Sequence, residues 1–263
     1  MLILKGVAKE VPGIVTSNWR DDPSIRLRMG NDGRERPKPR IRRIFIHTTG
    51  GIPGGRDPRP QVILPGFGPP GKAAEDNVRY WTGNNGQAGA HLVVDRDGSV
   101  IQTCDLLTEV AYHVPGANFD SIGIEIVQFK RDASIFQGQF AVTAKLVKWL
   151  CGEAGVQFQT HWPYRVGRKR LNLSAYQGPV GVFGHYQGDD GRGIGDPGDA
   201  MWLALEAAGV EKFDFFDPYV DEIWKERQEA LGVAPDGDPG PATVAALKAR
   251  GYAQGIWAFG FTA

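Results

Sequence analysis

Apolar residues in this chain come in short β-type runs, each closed by glycine or a polar turn, and that pattern commits it to a sheet-centred fold. Ile44-Phe45-Ile46-His47 is one such run, ended by Thr-Thr-Gly-Gly. Residues 91–103, HLVVDRDGSVIQT, place two β-rich halves around Asp-Arg-Asp-Gly, a hairpin signal. Ile122, Ile124 and Ile126 alternate with Gly123, Glu125 and Val127. A period of two puts the isoleucines on one face of a strand and Glu125 on the other, where Gly123 leaves room. Val180 to Phe183 is a further strand-like run, and it leads to His185.

Helical spacing appears twice between these runs. Val142, Leu146, Val147, Leu150 and Cys151 recur at helical intervals, and Gly155 follows as a stop. Trp202, Leu203 and Leu205 open a second helix that ends near Gly209. Mixed strands and helices over residues 41–210 predict an α/β domain, a central mixed β-sheet flanked by helices.

Three stretches read as irregular. Residues 1–40 look like a turn-rich N-terminal extension. Arg34, Arg36, Lys38, Arg40, Arg42 and Arg43, interrupted by Pro37 and Pro39, read as a solvated linker, with docking on an anionic polymer as the alternative. Gly50 to Lys72 is so crowded with glycine and proline that no regular element is expected there, and it is a candidate wall of a substrate groove.

Composition narrows the partners. The 263 residues are 41% hydrophobic, enough for a full core. Thirty basic residues balance thirty acidic ones, so bulk charge favours neither nucleic acid nor an anionic membrane. No apolar stretch approaches the roughly 18 residues a membrane span needs. The start MLILKGVAKEVPGIV lacks a basic region and a long apolar core, so it is a poor secretory signal, and synthesis in the cytoplasm is expected. Cys104 and Cys151 read as buried small hydrophobes, with a single disulfide as the alternative.

The candidate chemistry lies at the histidines: His47, His91, His113, His161 and His185. His47 and His185 follow strand-like runs and enter glycine-rich loops, where a rigid sheet presents side chains well. Asp196 comes eleven residues after His185, in Asp-Pro-Gly, and a loop of that length can return a carboxylate to the imidazole. Two imidazoles and one carboxylate form a common catalytic zinc set that leaves a position for water. Such chemistry needs a nearby carboxylate to take a proton, and Glu125 is the strand-borne candidate. Spacing alone leaves the metal site and separate structural roles equally open.

The motifs taken together resemble the zinc-dependent N-acetylmuramoyl-L-alanine amidases of the phage-lysozyme and peptidoglycan-recognition-protein superfamily. IFIHTTGG is similar to its first histidine motif, AHLVVDRDGSVIQ to its hairpin, SIGIEIVQ to its glutamate strand, and GHYQ…GDPGD to the motif with its last two ligands. The four occur in the family's order. The resemblance implies one zinc ion held by His47, His185 and Asp196, with Glu125 as general base and acid. It implies that His113, in AYHVPGAN, lines the substrate cleft, and that His91 lines the cleft or packs beneath it. His161 matches nothing and is expected at the surface. Many members carry a lysine two residues before the last ligand, where this chain has Ile194. Arg192 is then the candidate for stabilising developing negative charge, with a solvated loop residue as the alternative. Members that only bind peptidoglycan typically lack the third ligand, so the presence of Asp196 favours catalysis.

Residues 213–263 differ in character. RQEALGVAPDGDPGPATVAALKARGY holds a helical stretch, a turn at Asp236-Gly237, and a second helix opened by Pro241. It resembles the small helical peptidoglycan-binding domain that accompanies cell-wall hydrolases, and a helical pair completing the main domain is the alternative. The expected organisation is an extension (1–40), a zinc amidase domain (41–212) and a small helical peptidoglycan-binding-like subdomain (213–263). The expected activity is hydrolysis of the amide between N-acetylmuramic acid and L-alanine. A monomeric phage endolysin acting on the wall after release is the expected setting. A non-catalytic peptidoglycan-binding protein and a secreted antibacterial effector are the alternatives.

Overall fold

A computed structural model of the chain describes residues 1–27, 36, 41–49, 62–83, 88–128, 134–162, 180–189, 192, 196–214, 225, 228–235 and 241–250. Its strands are β1 (Leu2–Leu4), β2 (Val7–Lys9), β3 (Thr16–Asn18), β4 (Arg43–Thr48), β5 (Val62–Leu64), β6 (Leu92–Val94), β7 (Val100–Gln102), β8 (Ser121–Ile126), β9 (Ser134–Phe136), β10 (Gln159–Trp162), β11 (Gly181–Gly184) and β12 (Glu211–Asp214). Helices are α1 (Ala73–Gly83), α2 (Gln137–Ala154), the single turn α3 (His185–Gly188), α4 (Asp199–Ala207) and α5 (Pro241–Ala249).

Eight strands form the central sheet in the order β12-β10-β11-β4-β8-β6-β7-β3. All neighbours are parallel except the β6–β7 hairpin, so the sheet is mixed as expected. The period-two reading of β8 holds. Ile122, Ile124 and Ile126 join Ile44, Ile46, Leu92, Val94 and Val182 in one buried layer. Phe140, Val147 and Leu150 of α2 and Trp202 and Leu205 of α4 cover that layer. Gly155 closes α2 in the left-handed conformation, its N–H donating to Cys151 O. On the opposite face Phe45 packs with Phe183, Val114 and Ala117. This second face carries the odd-numbered residues of β4 and β8, His47 and Glu125 among them. Both cysteines are free and buried, and burial pushes each thiol up to about 12.

Three expectations meet a different outcome. The first residues are built into the domain: β3 pairs with β7, and Leu2, Leu4 and Val11 belong to the main core. The basic run is not simply solvated, because Arg43 is 0% and Arg36 7% exposed. Arg43 meets Asp120, and Arg36 donates to the carbonyls of Leu106, Asn118 and Ser121. Within Gly50–Lys72, Val62–Leu64 does form a strand, paired in parallel with β9, because three consecutive apolar residues suffice for a short ladder. Residues 50–61 and the side chain of His161 lie outside the described residues. In the C-terminal stretch α5 begins at Pro241, Gln228 donates to Thr243 Oγ1 at 3.1 Å, and Leu231 belongs to the main buried cluster. Among the described residues no helix is long and apolar enough to cross a membrane.

Asp105 fastens the N-terminal hairpin to this frame. Its Oδ1 accepts from the amides of Lys5 (2.9 Å), Leu107 (3.0 Å) and Thr108 (3.1 Å), and its Oδ2 from Gly6 (2.7 Å). Burial raises its carboxyl, but the four amides outweigh burial and hold it below the usual carboxylate range. A depressed folded value adds stability above the unfolded pKa of about 3.9, and that stability is lost as pH falls through the folded value. Asp105→Asn is therefore expected to lower the unfolding midpoint at pH 7, with the gap to wild type narrowing below about pH 4. Urea unfolding at both pH values checks this, and an equal gap at both would refute it.

Candidate active site

The site forms where β4 and β11 end. These strands are parallel neighbours, with Ile46 opposite Gly184, so His47 and His185 emerge at the same edge. Their rings lie 4.3 Å apart between centroids. Asp196 returns to them: its Oδ1 accepts from the Thr48 amide at 2.8 Å, and its Oδ2 lies 3.1 Å from His185 Nδ1. Gly184 allows this return, because a Cβ there would sit 2.7 Å from Pro197 Cδ and from the Tyr186 ring. His47, His185 and Asp196 are 2%, 5% and 2% exposed, and each offers a ligand atom within 4.8 Å of the other two.

Glu125 stands beside this group. The parallel register pairs it with His47 on one side and Val93 on the other. Loss of hydration pushes its carboxyl well above the usual range, the Asp196 carboxylate adds to the rise, and Arg192 opposes it. Arg192 Nε lies 3.8 Å from Asp189 Oδ2, which in turn is 3.6 Å from His185 Nε2.

Behind His47 lies a second layer of imidazoles. His47 Nε2 is 3.1 Å from His113 Nδ1, and His113 Nε2 is 3.0 Å from Ser121 Oγ. The His113 ring lies flat on Gly123, where a Cβ would come within 2.6 Å of the ring. His91 is fully buried: Gly123 N–H donates to its Nδ1 at 3.0 Å, and Arg36 approaches its Nε2 at 2.8 Å. Burial, then neighbouring positive groups, holds His47, His91 and His113 well below the usual imidazole range, so all three are neutral.

The sequence profile of the N-acetylmuramoyl-L-alanine amidases matches residues 37–199, which is more than half of the chain and takes in all of these groups except Arg36, one residue before it. The chain belongs to this family. The amidase therefore acts on peptidoglycan, at the amide joining N-acetylmuramic acid to L-alanine. Among solved structures it is similar to the Staphylococcus aureus hydrolase AmiA in complex with its ligand, at 16% identity over 76% of this chain and 88% of that one, with a TM-score of 0.39. It is also similar to a mutant endolysin from Bacillus subtilis, at 20% identity over 55% and 80% of the chains (TM-score 0.36). PGRP-Hd from Alvinella pompejana is 18% identical over 56% and 81% (TM-score 0.37). Among curated proteins none matches the chain.

The amidase's donor set suits a divalent ion. Donor atoms about 2.0–2.2 Å from a tetrahedral zinc lie about 3.3 Å apart, close to the 3.1 Å between His185 Nδ1 and Asp196 Oδ2. Neutral imidazoles and a carboxylate are the forms that bind metal. Ile194, the departure from the family's lysine, lies outside the described residues. Sequence alone does not place Ser121, Asp189 or Arg36 near the site. Asp189 had one usable signal, since it stands four residues after His185 at helical spacing.

Proposed function

We propose that this amidase is a one-zinc hydrolase, with His47, His185 and Asp196 as metal ligands and Glu125 as general base and acid. The observation that carries the reading is the convergence of two buried imidazoles and a buried carboxylate, with Glu125 one strand away. When bound there, zinc would polarise the scissile carbonyl and make water far more acidic.

The chain's own residues supply the rest. Thr48 N–H fixes one oxygen of Asp196 and aims the other at His185. Glu125 accepts the proton of the attacking water and returns it to the L-alanine amine as the amide breaks. A raised carboxyl suits both halves of that task, since it binds a proton readily and its partial exposure lets it meet substrate. Arg192 is partly exposed beside Asp189, and its guanidinium is assigned to the negative charge that develops on the carbonyl oxygen.

The test is metal content and product release on the same samples. The wild-type chain is expected to hold about one zinc ion and to free L-alanine amines from purified peptidoglycan. His185→Ala and Asp196→Ala are each expected to lose zinc and turnover together. Amine release that continues in a zinc-free Asp196→Ala variant would overturn the assignment.

A further inference from the structure

We infer that His113 and Ser121 form a relay that fixes the tautomer of His47 and leaves its Nδ1, not its Nε2, to face the metal. The inference rests on the zinc reading above, and it recasts His113 as a positioning residue where the resemblance implies a cleft-lining one.

The argument starts at the far end, where direction is unambiguous. Ala117 O can only accept, and it lies 2.6 Å from Ser121 Oγ, so the single hydroxyl proton of Ser121 points there. Toward His113 the serine oxygen must then be an acceptor, and His113 Nε2, 3.0 Å away, must carry a hydrogen. His113 is buried against Phe45, His47 and His91, surroundings that supply no negative charge to hold a cation, so its ring carries a single N–H and its Nδ1 is a lone-pair acceptor. His47 Nε2, 3.1 Å from it, must donate. The remaining nitrogen of a neutral His47 is Nδ1, which carries a lone pair and no hydrogen. Each group thus fixes the next, from a backbone carbonyl to a ligand nitrogen.

The surroundings hold this arrangement in place. The His113 ring packs between Phe45, at 5.8 Å between centroids, and the bare Cα of Gly123. Its backbone amide donates to Asn118 Oδ1 at 2.8 Å, as does that of Val114. Ser121 is fully buried, and its carbonyl accepts from Arg36 at 2.7 Å. A metal-bound histidine whose second nitrogen has a fixed partner is a better-oriented and more basic ligand.

Two measurements on the full chain decide the matter. The first uses metal-free wild-type protein labelled with ¹⁵N-histidine and reads the His47 tautomer from two-bond ¹H–¹⁵N correlations. The Nε2–H tautomer is expected, and an Nδ1–H tautomer would overturn the relay. This result does not depend on zinc uptake, so it separates a failed relay from a failed metal site. The second measurement is zinc affinity by competition with a chromophoric chelator in two variants of similar size. His113→Leu removes the acceptor and is expected to weaken zinc binding about 10- to 100-fold. His113→Asn keeps an oxygen acceptor at the Nδ1 position and is expected to stay near wild type. Equal affinities in the two variants would overturn the proposal. If the leucine variant does not fold, the wild-type tautomer stands as the deciding result.

Discussion

Glu125→Gln is expected to cut turnover on peptidoglycan by about 10²- to 10⁴-fold while zinc content stays at the wild-type level. The side chain lies across the β4–β8 ladder from His47, so the change leaves the three proposed ligands in place. Glutamine matches glutamate in shape but cannot take a proton from water. The pH dependence has a fixed sign. Burial, then the Asp196 carboxylate, raises the Glu125 carboxyl, so its basic form is lost as pH falls through that raised value. Wild-type turnover should therefore drop on the acid side, starting above the ordinary carboxylate range, and a bound cation would draw that limb back toward lower pH. The residual turnover of the glutamine variant should lack this limb. Amine release measured across pH on both proteins checks the claim, and wild-type turnover in the variant would remove Glu125 from the mechanism.

Asp120→Ala is expected to cost about 3–5 kcal/mol of folding stability, the scale for stranding one member of a buried ion pair. Arg43 opens β4 and is 0% exposed, and its Nη1 lies 3.0 Å from both Asp120 oxygens. The pair itself is no strong source of stability. Burial raises the Asp120 carboxyl even though Arg43, Arg42 and Arg36 all oppose the rise. Removing both charges should therefore cost less than removing Asp120 alone. Urea unfolding of Asp120→Ala and of the double variant Asp120→Ala/Arg43→Met gives both numbers. A double variant less stable than the single one would refute this account.

Much of the architecture was legible where one face of an element does one job. The alternation at Ile122, Ile124 and Ile126 reports a strand whose partner layer is entirely apolar, and the hairpin at Asp95 to Gly98 is specified by local turn chemistry. The three proposed ligands were legible only through motif order, because nothing local ties Asp196 to His47. Their contact runs through the Thr48 amide, a backbone group that carries no sequence signal. Arg36 was opaque for a related reason. Its burial depends on carbonyls from residues 106, 118 and 121, and any residue type could offer them. Helix α1 carries one local signal, Glu75 and Asp76 in its first turn, and it follows directly on a glycine- and proline-rich stretch that marks no helix start. Strands β10 and β12 pair in parallel with partners far along the chain, and no turn announces such pairing.

The side-by-side placement of His47 and Glu125 sets a length scale for the chemistry. Neighbouring strands run about 4.8 Å apart, so the interval between the proposed ligand His47 and the proposed proton acceptor Glu125 is inherited from the sheet's own repeat. Segments leaving the ends of those strands can then lengthen, shorten or change composition without retuning that interval. Selection can alter which wall fragments are admitted while the bond-breaking geometry stays constant, and grafting foreign loops after β4 or β8 is a natural way to redirect such an enzyme.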